Sequence, residues 1–216
     1  MSDLAESLHG KFIVLDGPDG AGKSTQLGLL ADHLARRGAE VVCVCDPGGT
    51  AVGDKIRQIL LDRANGEMAP LCEMLLFMAS RAQLIAEKVL PALHAGQVVL
   101  CDRFISATIA YQGASGVAVG PILEVGELAV EGCWPDLTVV LDLPAEVGLR
   151  RVGRRPGERG RGDRMEIRPA AYHQAVRENF LSLAERYPRP VAVVSAQGSP
   201  EEVFDRVLAA VTDALH

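Results

Sequence analysis

Residues 12–25 read FIVLDGPDGAGKST. The apolar run Phe12-Ile13-Val14-Leu15 breaks into Gly17-Pro18-Asp19-Gly20-Ala21-Gly22-Lys23-Ser24, which matches G-x-x-x-x-G-K-[ST]. An amphipathic pattern follows over Lys23 to Arg37, with Leu27, Leu30 and Leu34 on one face and Gly38 at its end. A strand, a glycine loop and a helix in that order let backbone N–H groups turn inward around phosphate oxygens, and the helix N-terminus adds its positive dipole end. Lys23 then reaches the β- and γ-phosphates, and the Ser24 hydroxyl can ligate Mg²⁺. The stretch from Gly17 to Thr25 therefore reads as an ATP-type triphosphate site with magnesium. GTPases, motor ATPases and small-molecule kinases share the motif, so it does not name the reaction.

Four further apolar runs lie downstream: Val41 to Cys45, Val98 to Cys101, Thr138 to Leu143 and Val191 to Val194. They are rich in β-branched residues and too short for helices, so they read as strands buried on both faces. Helical patterns cover Pro70 to His94, Ala145 to Val152, Pro169 to Arg186 and Pro200 to Leu215, with Pro169 and Pro200 suited to a first turn. This alternation predicts an α/β fold with a parallel sheet and right-handed crossovers. No internal repeat or long linker interrupts it, so a single domain over 1–216 is expected, with one compositional break at 153–164, GRRPGERGRGDR.

The 216 residues carry 22 basic and 28 acidic side chains, a net charge of −6. An apolar share of 48% supplies a full core and excludes a disordered chain. The acidic balance argues against nucleic-acid binding, though not against a small phosphorylated ligand. No apolar run approaches the roughly 18–20 residues that span a membrane. Residues 1–11 lack a basic start and an apolar stretch, so no secretory signal and a cytoplasmic location are expected. The five cysteines show no CxxC spacing. Cys43, Cys45 and Cys101 are expected as small buried hydrophobes in a reducing compartment.

The charge is unevenly spread. Arg150 to Arg164 holds seven arginines against Glu158 and Asp163, a local +5, so the remainder carries −11. Gly153, Gly157, Gly160 and Gly162 with Pro156 mark a loop. A closing arginine loop can neutralise a transferring phosphoryl group and exclude water. Asp102-Arg103 follows the third apolar run, at the carboxyl edge where parallel sheets bind ligands. There Asp102 could hold magnesium through water, and Arg103 could grip a phosphate bidentately.

Several blocks in order, FIVLDGPDGAGKST at 12–25, LLFMASRAQ at 75–83, DRFISATIAYQG at 102–113, PDLTVVLDLPAEVGLRR at 135–151 and DRME at 163–166, resemble the thymidylate kinase family over nearly the whole chain. The resemblance implies a P-loop NTPase fold, a five-stranded parallel sheet in the order 2-3-1-4-5 flanked by helices, and an arginine-rich lid over 150–164. It implies phosphoryl transfer from ATP to dTMP for dTTP synthesis, and a homodimer. Phe77 and Arg81, four apart on one helix face, match the pair that stacks on thymine and hydrogen-bonds its edge. Arg103 matches the arginine on the dTMP phosphate, and Asp19 an acid at the acceptor 3′-hydroxyl. Thr108 and Gln112 match polar positions near the acceptor, and Tyr111 a tyrosine that crowds C2′. Lys23, Asp19 and Arg103 are thus the expected catalytic residues, together with a lid arginine, because the loop PDGA at 18–21 has none. The candidates are Arg154, Arg155, Arg159 and Arg161. Arg150 and Arg151 are expected on the preceding helix, and Arg164 as a hinge anchor.

One block departs from the family. After the second strand its bacterial members usually read Arg-Glu-Pro-Gly-Gly-Thr, and here the residues are Cys45-Asp46-Pro47-Gly48-Gly49-Thr50. The acid is kept as Asp46, and the arginine is gone. Arg103 with another arginine could carry the acceptor phosphate, the favoured reading; the acceptor site could instead be weakened, or the acceptor could differ. The alternatives to a dTMP kinase are a P-loop kinase for another nucleotide or nucleoside, and a nucleotide-dependent switch.

Overall fold

A computed structural model describes residues 4–153 and 163–215. The candidate lid arginines Arg154, Arg155, Arg159 and Arg161 lie outside the described residues. The strands are β1 (Phe12–Asp16), β2 (Val41–Cys45), β3 (Val98–Asp102), β4 (Leu137–Asp142) and β5 (Val191–Ser195). They form one parallel sheet in the order β2-β3-β1-β4-β5, as expected. The helices are α1 (Leu4–Ser7), α2 (Lys23–Ala35), α3 (Ala51–Leu61), α4 (Pro70–Leu84), α5 (Leu90–His94), α6 (Ile105–Ala114), α7 (Val119–Val130), α8 (Ala145–Val152), α9 (Ala170–Leu181), α10 (Leu183–Arg186) and α11 (Pro200–Leu215).

Central β1 pairs with β3 on one side and β4 on the other, so its ends are fixed by two neighbours. Its side chains alternate between two cores. Ile13 and Leu15 pack with Leu30 and Leu34 of α2 and Val203, Val207 and Val211 of α11. Phe12 and Val14 pack with Met74 and Met78 of α4, Ile105 and Ile109 of α6, Ile122 of α7 and Phe180 of α9. This is why a strand with helices on both faces reads as continuously apolar.

That reading overreaches at the sheet edges. β2 and β5 are only half-buried along their length, because each has a neighbour on one side alone. Cys43 and Cys45 are accordingly exposed, contrary to expectation, whereas Cys101 on inner β3 is buried. The expected helix over Pro70 to His94 is three pieces: Ile85–Val89 is a π-helical stretch between α4 and α5. Pro91 has no N–H to donate to the preceding turn, and the ladder widens just before it. The segment expected as Pro169 to Arg186 divides into α9 and α10.

The sequence patterns left α3, α6 and α7 unassigned. α3 begins at Thr50, whose hydroxyl accepts from the Gly53 N–H at 2.9 Å as an N-cap. α8 carries Arg150 and Arg151, as expected. α8 also approaches the phosphate loop so closely that a Cβ at Gly148 would collide with the Asp19 carbonyl, and one at Gly20 with the Gly148 backbone. Among the described residues, no helix is long and apolar enough to cross a membrane.

Candidate active site

A cavity of about 570 Å³ opens at the carboxyl ends of β1, β2 and β3. Asp19, Gly20, Gly22, Lys23, Ser24 and Thr25 line one part, and Phe77, Arg81, Thr108, Tyr111 and Gln112 another, with Asp46, Asp102 and Arg103 also in its wall. The residues from several distant sequence blocks thus share one space. Gly17 supports the loop from behind: its φ is +137°, and a Cβ there would stand 2.5 Å from the Leu141 carbonyl oxygen.

Lys23 folds back across the loop, donating to the carbonyls of Gly17 at 3.1 Å and Pro18 at 2.9 Å. Burial, with Arg103 adding its positive charge, pulls the Lys23 ammonium down to about 8 against the pull of Asp19, Asp102 and Asp16. Ser24 donates to Asp102 Oδ2 at 2.7 Å. A hydroxyl and a carboxylate oxygen side by side are hard donors that suit Mg²⁺, which takes few protein ligands and fills its shell with phosphate oxygens and water. Among the described residues, no cluster of three or more His, Cys, Asp or Glu offers a metal cage.

Arg103 sits at the end of β3 with φ at +72°, a left-handed conformation that costs a non-glycine residue about 1–3 kcal/mol. Four partners hold it there. Nη1 donates to the Gly17 carbonyl at 3.1 Å and lies 3.4 Å from Asp16 Oδ1. Nη2 donates to Asp19 Oδ1 at 2.5 Å and to the Tyr111 hydroxyl at 3.1 Å. Tyr111 in turn donates to Asp19 Oδ2 at 2.9 Å. Burial raises the Asp19 carboxyl, but Arg103, Lys23 and the Tyr111 hydroxyl outweigh it and hold it below the ordinary carboxylate value.

Beyond this knot, Arg81 is fully buried. Its Nε donates to Asp46 Oδ2 at 2.7 Å, its Nη2 to Thr108 Oγ1 at 3.3 Å, and its guanidinium stands 5.1 Å from the Phe104 ring centre. Phe77, one turn back on α4, is half-buried and faces the cavity. Gln112, one turn on from Thr108 along α6, donates from Nε2 to buried Glu73 at 2.7 Å.

The family model for thymidylate kinase matches residues 15–207. The thymidylate kinase of Pelobacter propionicus is 42% identical over 205 residues, covering 94% of each chain. That of Exiguobacterium sp. is 44% identical over 202 residues, covering 93% of each. The chain belongs to the thymidylate kinase family. The family phosphorylates dTMP to dTDP with ATP. A crystal structure of the thymidylate kinase from Ehrlichia chaffeensis superposes with a TM-score of 0.76 at 28% identity, over 94% of this chain and 99% of that one.

The wall around Cys45 holds a residue the sequence reading missed. Arg57, on α3, lines the cavity beside Cys45 and donates from Nη1 to the Pro47 carbonyl at 2.7 Å. Burial pushes the Cys45 thiol up, and the Arg57 charge opposes that shift. The missing signal was the helix itself: Thr50 as N-cap would have placed Arg57 two turns in, back toward the strand end. Arg151 of α8 also lines the cavity and donates to the Gly20 carbonyl at 3.3 Å. Arg164 is a buried anchor, donating from Nε to the Leu60 carbonyl at 2.9 Å and pairing with Glu73.

The low Lys23 value carries a pH dependence. A bound triphosphate favours the charged ammonium, so binding above the free-state value must take up a proton. The KM for ATP is therefore expected to be flat just below pH 8 and to rise above it, by up to about tenfold per pH unit. Initial rates at saturating acceptor across that range check this; a KM that does not rise on crossing pH 8 would contradict it.

Proposed function

We propose that this chain carries out its family's reaction, MgATP + dTMP → MgADP + dTDP, by direct in-line transfer with the residues of this cavity. The observation that supports it most strongly is the Arg103 knot, which lies between the loop that would hold the donor phosphates and the Phe77–Arg81 wall that would hold the acceptor base. The acceptor phosphate is already an anion, so the reaction needs no general base. Rate comes from positioning and from neutralising charge.

Lys23 exchanges its bonds to the Gly17 and Pro18 carbonyls for the β/γ-phosphates. Ser24 and Asp102 would hold Mg²⁺. The ion would supply positive charge against the transferring phosphates. Arg103 grips the dTMP phosphate, Asp19 holds Arg103 and takes the 3′-hydroxyl, and Tyr111 closes the space beside C2′. Phe77 stacks on thymine; Arg81, with Asp46 behind it, and Thr108 and Gln112 read its edge. The arginine that stabilises the transferring group comes from 150–164, with Arg154, Arg155, Arg159 and Arg161 as candidates and Arg151 already at the wall. Arg57 supplies the acceptor-phosphate charge that Cys45 cannot.

A coupled ADP-release assay with dTMP, dUMP, dCMP, UMP and thymidine tests this reading. Turnover with dTMP well above the others is expected. ATP hydrolysis indifferent to the acceptor would indicate a switch, and a preference for thymidine a nucleoside kinase. In the same assay, Arg57→Ala should raise the KM for dTMP by about tenfold or more, and Cys45→Arg in that background should restore part of it. An unchanged KM in Arg57→Ala would remove Arg57 from the acceptor site.

The homodimer reading is supported by an apolar face. Val52 and Ile59 of α3, Leu71 and Leu75 of α4 and Leu128 of α7 are exposed, and α4 packs against both neighbours. Sedimentation should give twice the 23.0 kDa chain mass, and Leu75→Arg should shift it toward the monomer. A wild-type monomer at every concentration would contradict this.

A further inference from the structure

Glu73 is a fully buried acid on α4 that lines no part of the cavity. Its Oε1 accepts from Gln112 Nε2 at 2.7 Å. Its Oε2 takes Arg164 Nη2 at 2.5 Å and Arg168 Nη2 at 3.2 Å. Arg164 is itself pinned to the Leu60 carbonyl at the end of α3, so the carboxylate is fixed from two sides. Both of its oxygens therefore serve as acceptors.

An ion pair of this depth is weak evidence for stability, because desolvating the charges costs about as much as their attraction returns. What it does determine is orientation. A glutamine amide is nearly symmetric in shape and can present either its carbonyl or its NH₂. Facing an acceptor, Gln112 must turn its NH₂ toward Glu73, which leaves its carbonyl oxygen for the cavity it lines. The same pairing recurs one level along. Glu73, Phe77 and Arg81 lie at four-residue spacing on α4, and Thr108 and Gln112 on α6. Arg81 bonds Thr108 and Glu73 bonds Gln112, so the two rungs fall one turn to either side of Phe77 along α4.

We propose that Glu73, touching no substrate, is a specificity-determining positioning residue: it locks the Gln112 amide with its carbonyl toward the base edge. This rests on the thymine-site reading above. Thymine offers an N3–H donor beside its O4 acceptor, which fits a carbonyl next to the Arg81 guanidinium. Cytosine offers a lone pair at N3 and an amino group at position 4, which meet a lone pair and a donor. An unlocked Gln112 turns over and accommodates cytosine N3; a locked one rejects it.

The test is kcat/KM for dTMP and dCMP in wild type, Glu73→Gln and Glu73→Asp. In Glu73→Gln the introduced amide gives its carbonyl to the two arginines and its NH₂ to Gln112, which then turns its own NH₂ to the cavity. Glu73→Asp keeps the charge for Arg164 and Arg168 and withdraws from Gln112 by one methylene, so it serves if Glu73→Gln does not fold. In both, the dTMP-to-dCMP ratio should fall by about tenfold or more, through the nucleotide KM values, with the KM for ATP unchanged. A merely structural role would lower both nucleotides alike. Equal losses, or an unaltered ratio, would overturn the proposal while leaving the acceptor reading intact. A wild-type chain without preference for dTMP would remove both.

Discussion

The site depends on one arginine held in a conformation it would not adopt alone. Arg103 emerges from β3 with a left-handed backbone. Its guanidinium is fixed by the Gly17 carbonyl, the Asp19 carboxylate and the Tyr111 hydroxyl. Those partners come from the glycine loop and from α6, so a single side chain ties the loop side of the cavity to the α6 side. The strain of about 1–3 kcal/mol is offset by charge-assisted bonds that are individually worth about as much. Because neither loop nor helix can shift without breaking that set, the spacing between the glycine loop and α6 is built into the fold.

Two further buried arginine–carboxylate pairs repeat the device at increasing distance. Arg81 with Asp46 fixes a guanidinium in the cavity wall, and Arg164 with Glu73 fixes a carboxylate behind it. Each pair joins elements far apart in sequence: the end of β2 to α4, and the residues after 162 to α3 and α4. Their value lies in geometry more than in net stability, since buried pairs gain little against well-packed apolar residues. The acidic globule therefore surrounds the arginines of its cavity wall and their neighbours with fixed acids that aim each cation. Asp46, the acid after β2, keeps this pattern, and Arg57 reaches the same cavity wall as Cys45 from α3.

Local chemistry made the centre of the fold legible. β1, the glycine loop and α2 follow from a strand, a G-x-x-x-x-G-K-S spacing and an apolar stripe that need no tertiary partner to be read. The edges were harder. Val41 to Cys45 is as apolar as Val98 to Cys101, and only the strand order exposes one and buries the other. α6 and α7 are apolar nearly all round, which blurs a helical period, and α3 announces itself only through its Thr50 cap. Phe77, Arg81, Thr108 and Gln112 were readable through their family blocks. Glu73 and Gly148 were not, because each acts through a neighbour distant in sequence, and Arg57 was not, because α3 itself went unassigned.

The central claim, that Arg103 meets the phosphate of the acceptor, is tested most directly by calorimetric titration of dTMP and of thymidine into wild type and Arg103→Ala. Loss of a charge-assisted phosphate contact should weaken dTMP binding by about tenfold to a hundredfold while leaving thymidine affinity within about twofold. Equal weakening of both ligands, or of neither, would contradict it.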